Sequence, residues 1–367
     1  MISTRALGRA LLERQLLLAR AQLPATAAVE HLIGLQAQAS TPPYYGLWSR
    51  VRNFEPGELE RTLLERETVR LKLMRGTVHL VSVRDALLLR PLVQSVIERG
   101  HNGAFGRRMG GADRERLAAA VRQLLADGPL SARELAERLI ERGIGDDPQA
   151  ITNATLAYAP LVQLPPRGLW ASGGQARYAT LESWTGRQPE PDPSIEAVVV
   201  RYLRAFGPAS ALDVQRWSGL TRLKEVLERL RPQLVTFRNE DGRELFDIPD
   251  GPRPDPDVQA PPRFLGQFDN VLLGHADRRR IIPPKTPSFA LLTQGRDRDR
   301  FINHVLVDGL LRAAWWIERG PGAHATLVIR PFEKLKAADR DEVAHEAQRM
   351  IDFAARDSEH REVRFGG

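Results

Sequence analysis

The chain has 367 residues, with 53 lysine or arginine against 46 aspartate or glutamate and a formal net charge of +7. Its length implies roughly two to four compact units, and 42% apolar with 27% charged residues describes a folded, soluble chain. It has no cysteine, which excludes disulfides, iron–sulfur clusters, thiolate zinc sites and cysteine nucleophiles together.

Helices are predicted near residues 3–21, 25–35, 44–52 and 57–66. Strands are predicted over 69–74 and 77–83 around Gly76, then a helix over 84–99. The amphipathic start, with Glu13 and Arg14 inside it, lacks the uninterrupted apolar core of a signal peptide, and no run is long enough to span a membrane. A cytoplasmic monomer without membrane partner is expected. Residues 100–111, basic and glycine-rich, read as a flexible linker. They lack the Gly-Lys-Ser/Thr of a phosphate loop, so a nucleotide site is rejected.

An internal duplication sets the architecture of the middle of the chain. The segment from Val121 to Ala132 aligns without gaps with Val200 to Ala211, at an offset of 79 residues, and eight of twelve positions are identical. In each copy a helix ends near Gly-Pro and a serine caps the next one. Ser131 with Glu134 forms a capping box. Third helices are predicted over 148–159 and 221–230. Short strands follow at 161–164 with 168–170, and at 234–237 with 244–246. Three helices and a hairpin is the winged helix-turn-helix order, and the N-terminal part fits as a more divergent copy, with the 69–83 hairpin as its wing.

The proline-rich stretch 252–262 marks a further boundary. Beyond it lie short β-like runs at 268–273, 280–282, 290–292, 304–307, 313–317 and 325–329, and a final helix near 337–356. The expected fold is α+β: three tandem winged units over 1–110, 111–193 and 194–256, then a β-barrel-like domain over 257–367. Only five basic residues are lysines, and arginine suits bidentate contacts with phosphate and guanine; a GC-rich genome gives the same skew. The eight histidines form no ligand pattern, so neither metal nor cofactor is expected.

Leu35-Gln36-Ala37-Gln38, followed by Pro42-Pro43-Tyr44-Tyr45-Gly46-Leu47-Trp48-Ser49-Arg50, resembles the catalytic segment of the AlkZ/YcaQ-type DNA glycosylases. Met74-Arg75-Gly76-Thr77-Val78-His79-Leu80-Val81 is similar to that family's first wing. The stretch from Phe268 to Arg280 is similar to its C-terminal signature. The resemblance implies winged units around a central concave channel, a C-terminal barrel, and excision of N7-alkylated guanine from double-stranded DNA. Glutamine at both motif positions resembles the branch that unhooks interstrand crosslinks made by azinomycin-like natural products, for self-resistance.

Two amides suit a lesion that is already cationic. N7 alkylation weakens the C1′–N9 bond because the base departs neutral, so holding a water and favouring charge on the sugar are the remaining tasks. Glutamine offers a carbonyl acceptor and two N–H donors but no general base. Residues two apart share a face only in extended backbone, so Gln36 and Gln38 either converge from an extended segment or flank a groove from a last helical turn. A crosslinked guanine cannot rotate freely into a deep pocket, which favours an open, arginine-lined channel reaching C1′ from the minor groove.

Candidate DNA contacts are Arg50, Lys72, Arg75, His275, Arg278, Arg279, Arg280 and Lys285. The three consecutive arginines read as a hairpin tip, and Arg296, Arg298 and Arg300 as a loop that could extend the same surface. Tyr44, Tyr45 and Trp48 read as core packing in preference to base stacking. The competing functional readings are a winged-helix DNA-binding regulator without catalysis and a lesion sensor that binds but does not cut.

Overall fold

The structure, a computed structural model, describes residues 1–109, 113–287 and 302–366. The first helix, Thr4–Arg14, is capped by Ser3 accepting from the Ala6 N–H. It stops well short of the predicted residue 21 because Leu16 takes a left-handed φ of 57°. Helices Ala25–His31, Pro42–Arg50 and Pro56–Leu64 follow. The last two carry proline in the first turn, where its missing N–H costs nothing. The wing strands are Thr68–Lys72 and Val78–Ser82, paired antiparallel from Thr68 with Ser82 to Lys72 with Val78.

Both copies of the duplication fold as helix-turn-helix units. Arg114–Ala126, Ala132–Glu141 and Pro148–Tyr158 form one, and Ile195–Phe206, Ala211–Ser218 and Leu223–Leu230 the other. Ser131 with Glu134 and Ser210 with Asp213 both make capping boxes. In the second unit the outer strand is Arg177–Thr180, not 168–170, where Gly168 at φ +101° turns the chain instead. The predicted linker is helical to Phe105, with a short 3-10 turn over Gly106–Met109.

The wings are not independent. Arg70 pairs with Gln163 and Leu71 with Val162, joining the first two wings in one six-stranded sheet. One of its two edge strands is the two-residue Leu35–Gln36. The third wing, Val235–Arg238 with Glu244–Asp247, is a separate two-stranded ribbon. The core runs through the chain: one apolar cluster joins Leu11, Val81 and Leu87 to Tyr202, Trp217 and Val271, and another joins Leu35 and Leu47 to Trp315 and Met350.

The expected C-terminal barrel is not formed among the described residues. Strands Arg263–Leu265, Asn303–Val307, Leu310–Gly320, His324–Pro331 and His360–Phe365 make an open five-stranded sheet with the first and last at its edges. Closure is unnecessary because helix Ala337–Ala354 covers one face, packing Val343, Ala347 and Met350 with Trp315, Leu327 and Ile329. That helix is also the crossover between the parallel strands His324–Pro331 and His360–Phe365. The run at 268–273 is not a strand: Asp269 caps a one-turn helix, Asn270–Leu273. Residues 280–282 are likewise not a strand. Those at 290–292, and Arg296, Arg298 and Arg300, lie outside the described residues.

Buried and half-buried ion pairs stitch distant segments together. Arg14 meets Asp247 at 2.6 Å, Arg201 meets Asp85 at 2.5 Å and Arg50 meets Asp269 at 2.7 Å. Part of the arginine content therefore serves internal architecture. No helix among the described residues is long and apolar enough to cross a membrane.

Candidate active site

Gln36 lies on a short extended strand and Gln38 on the bend just past its end, so the extended arrangement expected from sequence is met by Gln36 alone. Leu35 pairs with Leu80 and Gln36 with His79, and the Ala37 N–H continues the ladder to the Val78 carbonyl at 2.8 Å. Leu35 and Ala37 enter the apolar core, and alternation turns Gln36 between them to the other side of the strand. Ile33 and Gly34, at φ 53° and 89°, end the preceding helix and launch this strand. Gln36 is 8% exposed, at the rim of the sheet, and Gln38 beyond it is open to solvent.

Each amide oxygen has a donor. Arg75 Nη2 donates to Gln36 Oε1 at 2.8 Å, and the Val78 N–H donates to Gln38 Oε1 at 3.3 Å. Arg75 also donates through Nη1 to the Trp217 carbonyl, at the end of a helix in the third unit. Its backbone is left-handed, at φ 56°, which is costly for a residue with a side chain. Burial, with Arg216 and Arg278 nearby, pushes the Arg75 guanidinium down to about 10, still charged at neutral pH.

His79, paired with Gln36 across the ladder, is neutral. Burial and then Arg75 push it down to about 3. Its Nδ1 lies 3.0 Å from the Thr77 carbonyl, which can only accept, so the proton sits there and Nε2 faces Arg75 as an acceptor at 3.5 Å. Among the described residues, neither amide hydrogen-bonds to an ionisable base.

Sequence reasoning missed Arg70. Buried in the wing, it donates through Nη2 to the Ala37 carbonyl at 2.8 Å and through Nη1 to that of Ala39 at 3.4 Å, bracketing Gln38. It has no carboxylate partner among the described residues, and burial with Arg167 nearby pushes it down to about 10. Nothing in the strand Thr68–Lys72, which carries Lys72 as well, set Arg70 apart as the buried one.

The predicted DNA contacts separate into two groups. Arg50 is fully buried in its two-bond pair with Asp269. His275, buried, donates from Nε2 to the Phe206 carbonyl at 3.0 Å, and Arg280, buried, donates to the Pro208 carbonyl at 3.0 Å. These three are placed inside the fold rather than at a surface. Lys72 is half-buried, with burial and Arg90 lowering its ammonium. Arg279 is exposed but paired with Asp277 and Asp241. Arg278 is half-buried and Lys285 exposed. The three arginines sit on a turn, not a hairpin. Arg216, exposed on the third unit's helix and not singled out by sequence, neighbours both Arg75 and Arg278. The patch beside Gln36 is thus basic.

The aromatics that follow the glutamines pack in the core. Tyr44 and Tyr45 pack edge-on against Trp170, and Trp48 against Phe353. Tyr44 donates its hydroxyl to the Gly168 carbonyl at 2.8 Å. No group of three or more potential metal ligands occurs among the described residues.

A winged-helix-like scaffold carrying two amides beside a cluster of arginines defines a class of proteins with a known family. The chain belongs to the DNA glycosylase AlkZ-like family, whose match spans residues 29–353. A relative, the interstrand DNA cross-link repair glycosylase of Streptomyces sahachiroi, is 26% identical, over 92% of this chain and 94% of its own. The solved structure of Streptomyces sahachiroi DNA glycosylase AlkZ covers all of both chains at a TM-score of 0.75 and 21% identity, a likeness of fold.

Proposed function

We propose that the chain is a DNA glycosylase that hydrolyses the N-glycosidic bond of N7-alkylguanine, unhooking interstrand crosslinks made by a bifunctional alkylating natural product. The observation that carries this reading is Gln36 on a short strand and Gln38 just past its end, with Arg75 bonded to Gln36, Arg216 near Arg75, and no ionisable base hydrogen-bonded to either amide among the described residues. Such a site can orient a water and tolerate positive charge on the sugar, but it offers neither an acid to protonate a neutral leaving base nor a base to deprotonate the water. The lesion must bring its own activation, as an N7-alkylated guanine does. The relative's crosslink-repair activity supports this choice of substrate.

Double-stranded DNA would lie over the basic patch, with Arg216, Arg278 and Lys285 toward phosphates and the amide edge toward the minor groove. No cofactor is required by this chemistry.

The test is release of free base from a duplex carrying N7-methylguanine, followed by a crosslinked duplex. Gln36→Ala and Gln38→Ala should each slow release by about 100-fold or more, the usual cost of a missing polar contact to a transition state, with DNA affinity nearly unchanged. Retention of the lesion duplex without release would favour a sensor instead, and unchanged release in both variants would remove the glutamines from the chemistry.

A further inference from the structure

We propose that Arg75 is a positioning residue that locks the Gln36 amide with its oxygen inward, so that Gln36 meets the lesion as a hydrogen-bond donor to the departing purine, at N3, while Gln38 holds the water. The inference rests on the glycosylase reading and assigns the two glutamines different tasks.

The orientation of Gln36 follows from chemistry. A guanidinium has five N–H donors and no acceptor, so the amide atom 2.8 Å from Arg75 Nη2 must be the oxygen. Arg75 itself has little freedom. Its second nitrogen is tied to the Trp217 carbonyl, and its Cα lies against Gly219. A left-handed backbone at a residue with a side chain persists only when its surroundings enforce it, and such strain gathers at functional positions. Gln36 Nε2 has no hydrogen-bond partner among the described residues and is not sealed from solvent. Its two N–H donors are the atoms left to face a substrate.

Gln38 differs. It is exposed, and its oxygen is held only by the longer 3.3 Å contact from the Val78 N–H. A carbonyl oxygen accepts two hydrogen bonds, so Gln38 can still accept from a water.

In the reaction the C1′–N9 bond breaks heterolytically and its electron pair goes to N9, neutralising the charge that N7 alkylation placed on the ring. The water oxygen bonds to C1′ and its proton passes to solvent. Electron density rises on the purine as it leaves, and N3, conjugated with N9 and facing the minor groove, shares in it. A donor at N3 therefore binds the transition state more tightly than the cationic ground state.

The experiment pairs an enzyme change with a substrate change, using single-turnover base release from duplexes carrying N7-methylguanine or its 3-deaza analogue, in which CH replaces N3. Wild type is compared with Gln36→Ala and Gln36→Glu, each checked for folding by thermal melting and for duplex affinity. Glutamate keeps the Arg75 contact and could still hold water, but it has no N–H to give. Gln36→Ala should slow release about 100-fold from N7-methylguanine and less than about threefold from the 3-deaza substrate, because the two changes remove the same contact. Gln36→Glu should be as slow as Gln36→Ala. Arg75→Leu should lower the maximal rate without raising KM, and Arg75→Lys should recover part of it. An equal Gln36→Ala defect on both substrates, or near-wild-type release by Gln36→Glu, overturns the inference and leaves the glycosylase reading standing. No release of N7-methylguanine by wild type overturns both.

Discussion

Arg70 Nη2 donates to the Ala37 carbonyl at 2.8 Å, so a charged side chain buried in one wing strand fixes the backbone that carries Gln38. Gly168, from the second unit, lies flat against it: a Cβ there would fall 2.4 Å from Arg70 Cδ. The two units thus meet at the support of the amide edge.

Arg70→Met is expected to strand the Ala37 carbonyl, costing on the order of 1–3 kcal/mol of stability. Base release should fall by more than DNA affinity does, since the damage is to the geometry of Gln38. Gly168→Ala should imitate the effect by dislodging Arg70. Denaturant melts and single-turnover release on the same preparations check both, and full release by Arg70→Met would show that the carbonyl contacts do not position Gln38.

Arg50→Met tests a different relationship. Arg50 and Asp269 are both buried and share two hydrogen bonds, at 2.8 and 2.7 Å. Removing one partner leaves the other charge uncompensated, and the expected loss is about 3–5 kcal/mol. Changing both, Arg50→Met with Asp269→Asn, should recover much of it. Urea denaturation measures the cycle. Loss of DNA affinity with full stability would instead put Arg50 at the nucleic acid.

How much of this was legible in the sequence depended on the range of the interaction involved. The duplicated helix-turn-helix units and the first wing follow from caps, Gly-Pro stops and a hairpin around Gly76, all local signals. The amide pair was legible as a motif, but the predicted helix over 25–35 ran on through Gly34, whereas the helix ends at His31. The strand that follows is two residues long, too short for any alternation to show. The barrel expectation failed because a short apolar run such as 268–273 reads alike as a strand or as a buried helical turn. The partners of Arg50, His275 and Arg280 come from other units, and nothing local separates a buried arginine from one that meets phosphate. Arg70 and Arg216 were missed for the same reason.

The pH response should separate folding from chemistry. His79 and His275 are held down to about 3 and His304 to about 4, in each case first by burial. The folded state therefore resists protonating groups that the unfolded chain protonates near pH 6.5. Their stabilisation is complete above about pH 6.5 and is lost progressively as pH falls from there toward 3 to 4. Melting temperatures should drop on acidification across that window. Release per folded molecule should show no limb between about pH 5 and 7, because glutamine does not titrate and His79 stays neutral. A limb centred near 6.5 would reveal an ionising base that the site, as built, does not contain.

Gly219 offers a way to move Arg75 without touching it. It sits at φ +82°, and a Cβ there would lie 2.7 Å from Val96 Cγ1 and 3.4 Å from the Arg75 backbone. Gly219→Ala should cost more than about 1 kcal/mol, because the left-handed backbone and the close neighbour both oppose it. Gly242 has a similar φ of +77° with nothing within 4 Å, so Gly242→Ala carries the backbone cost alone. Matched for stability by denaturant titration, the two variants should part in chemistry. Gly219→Ala pushes on the residue that holds Gln36 and should slow base release several-fold, whereas Gly242→Ala should not. Equal release by both would mean that the packing of the third unit against Arg75 does not reach the amide edge.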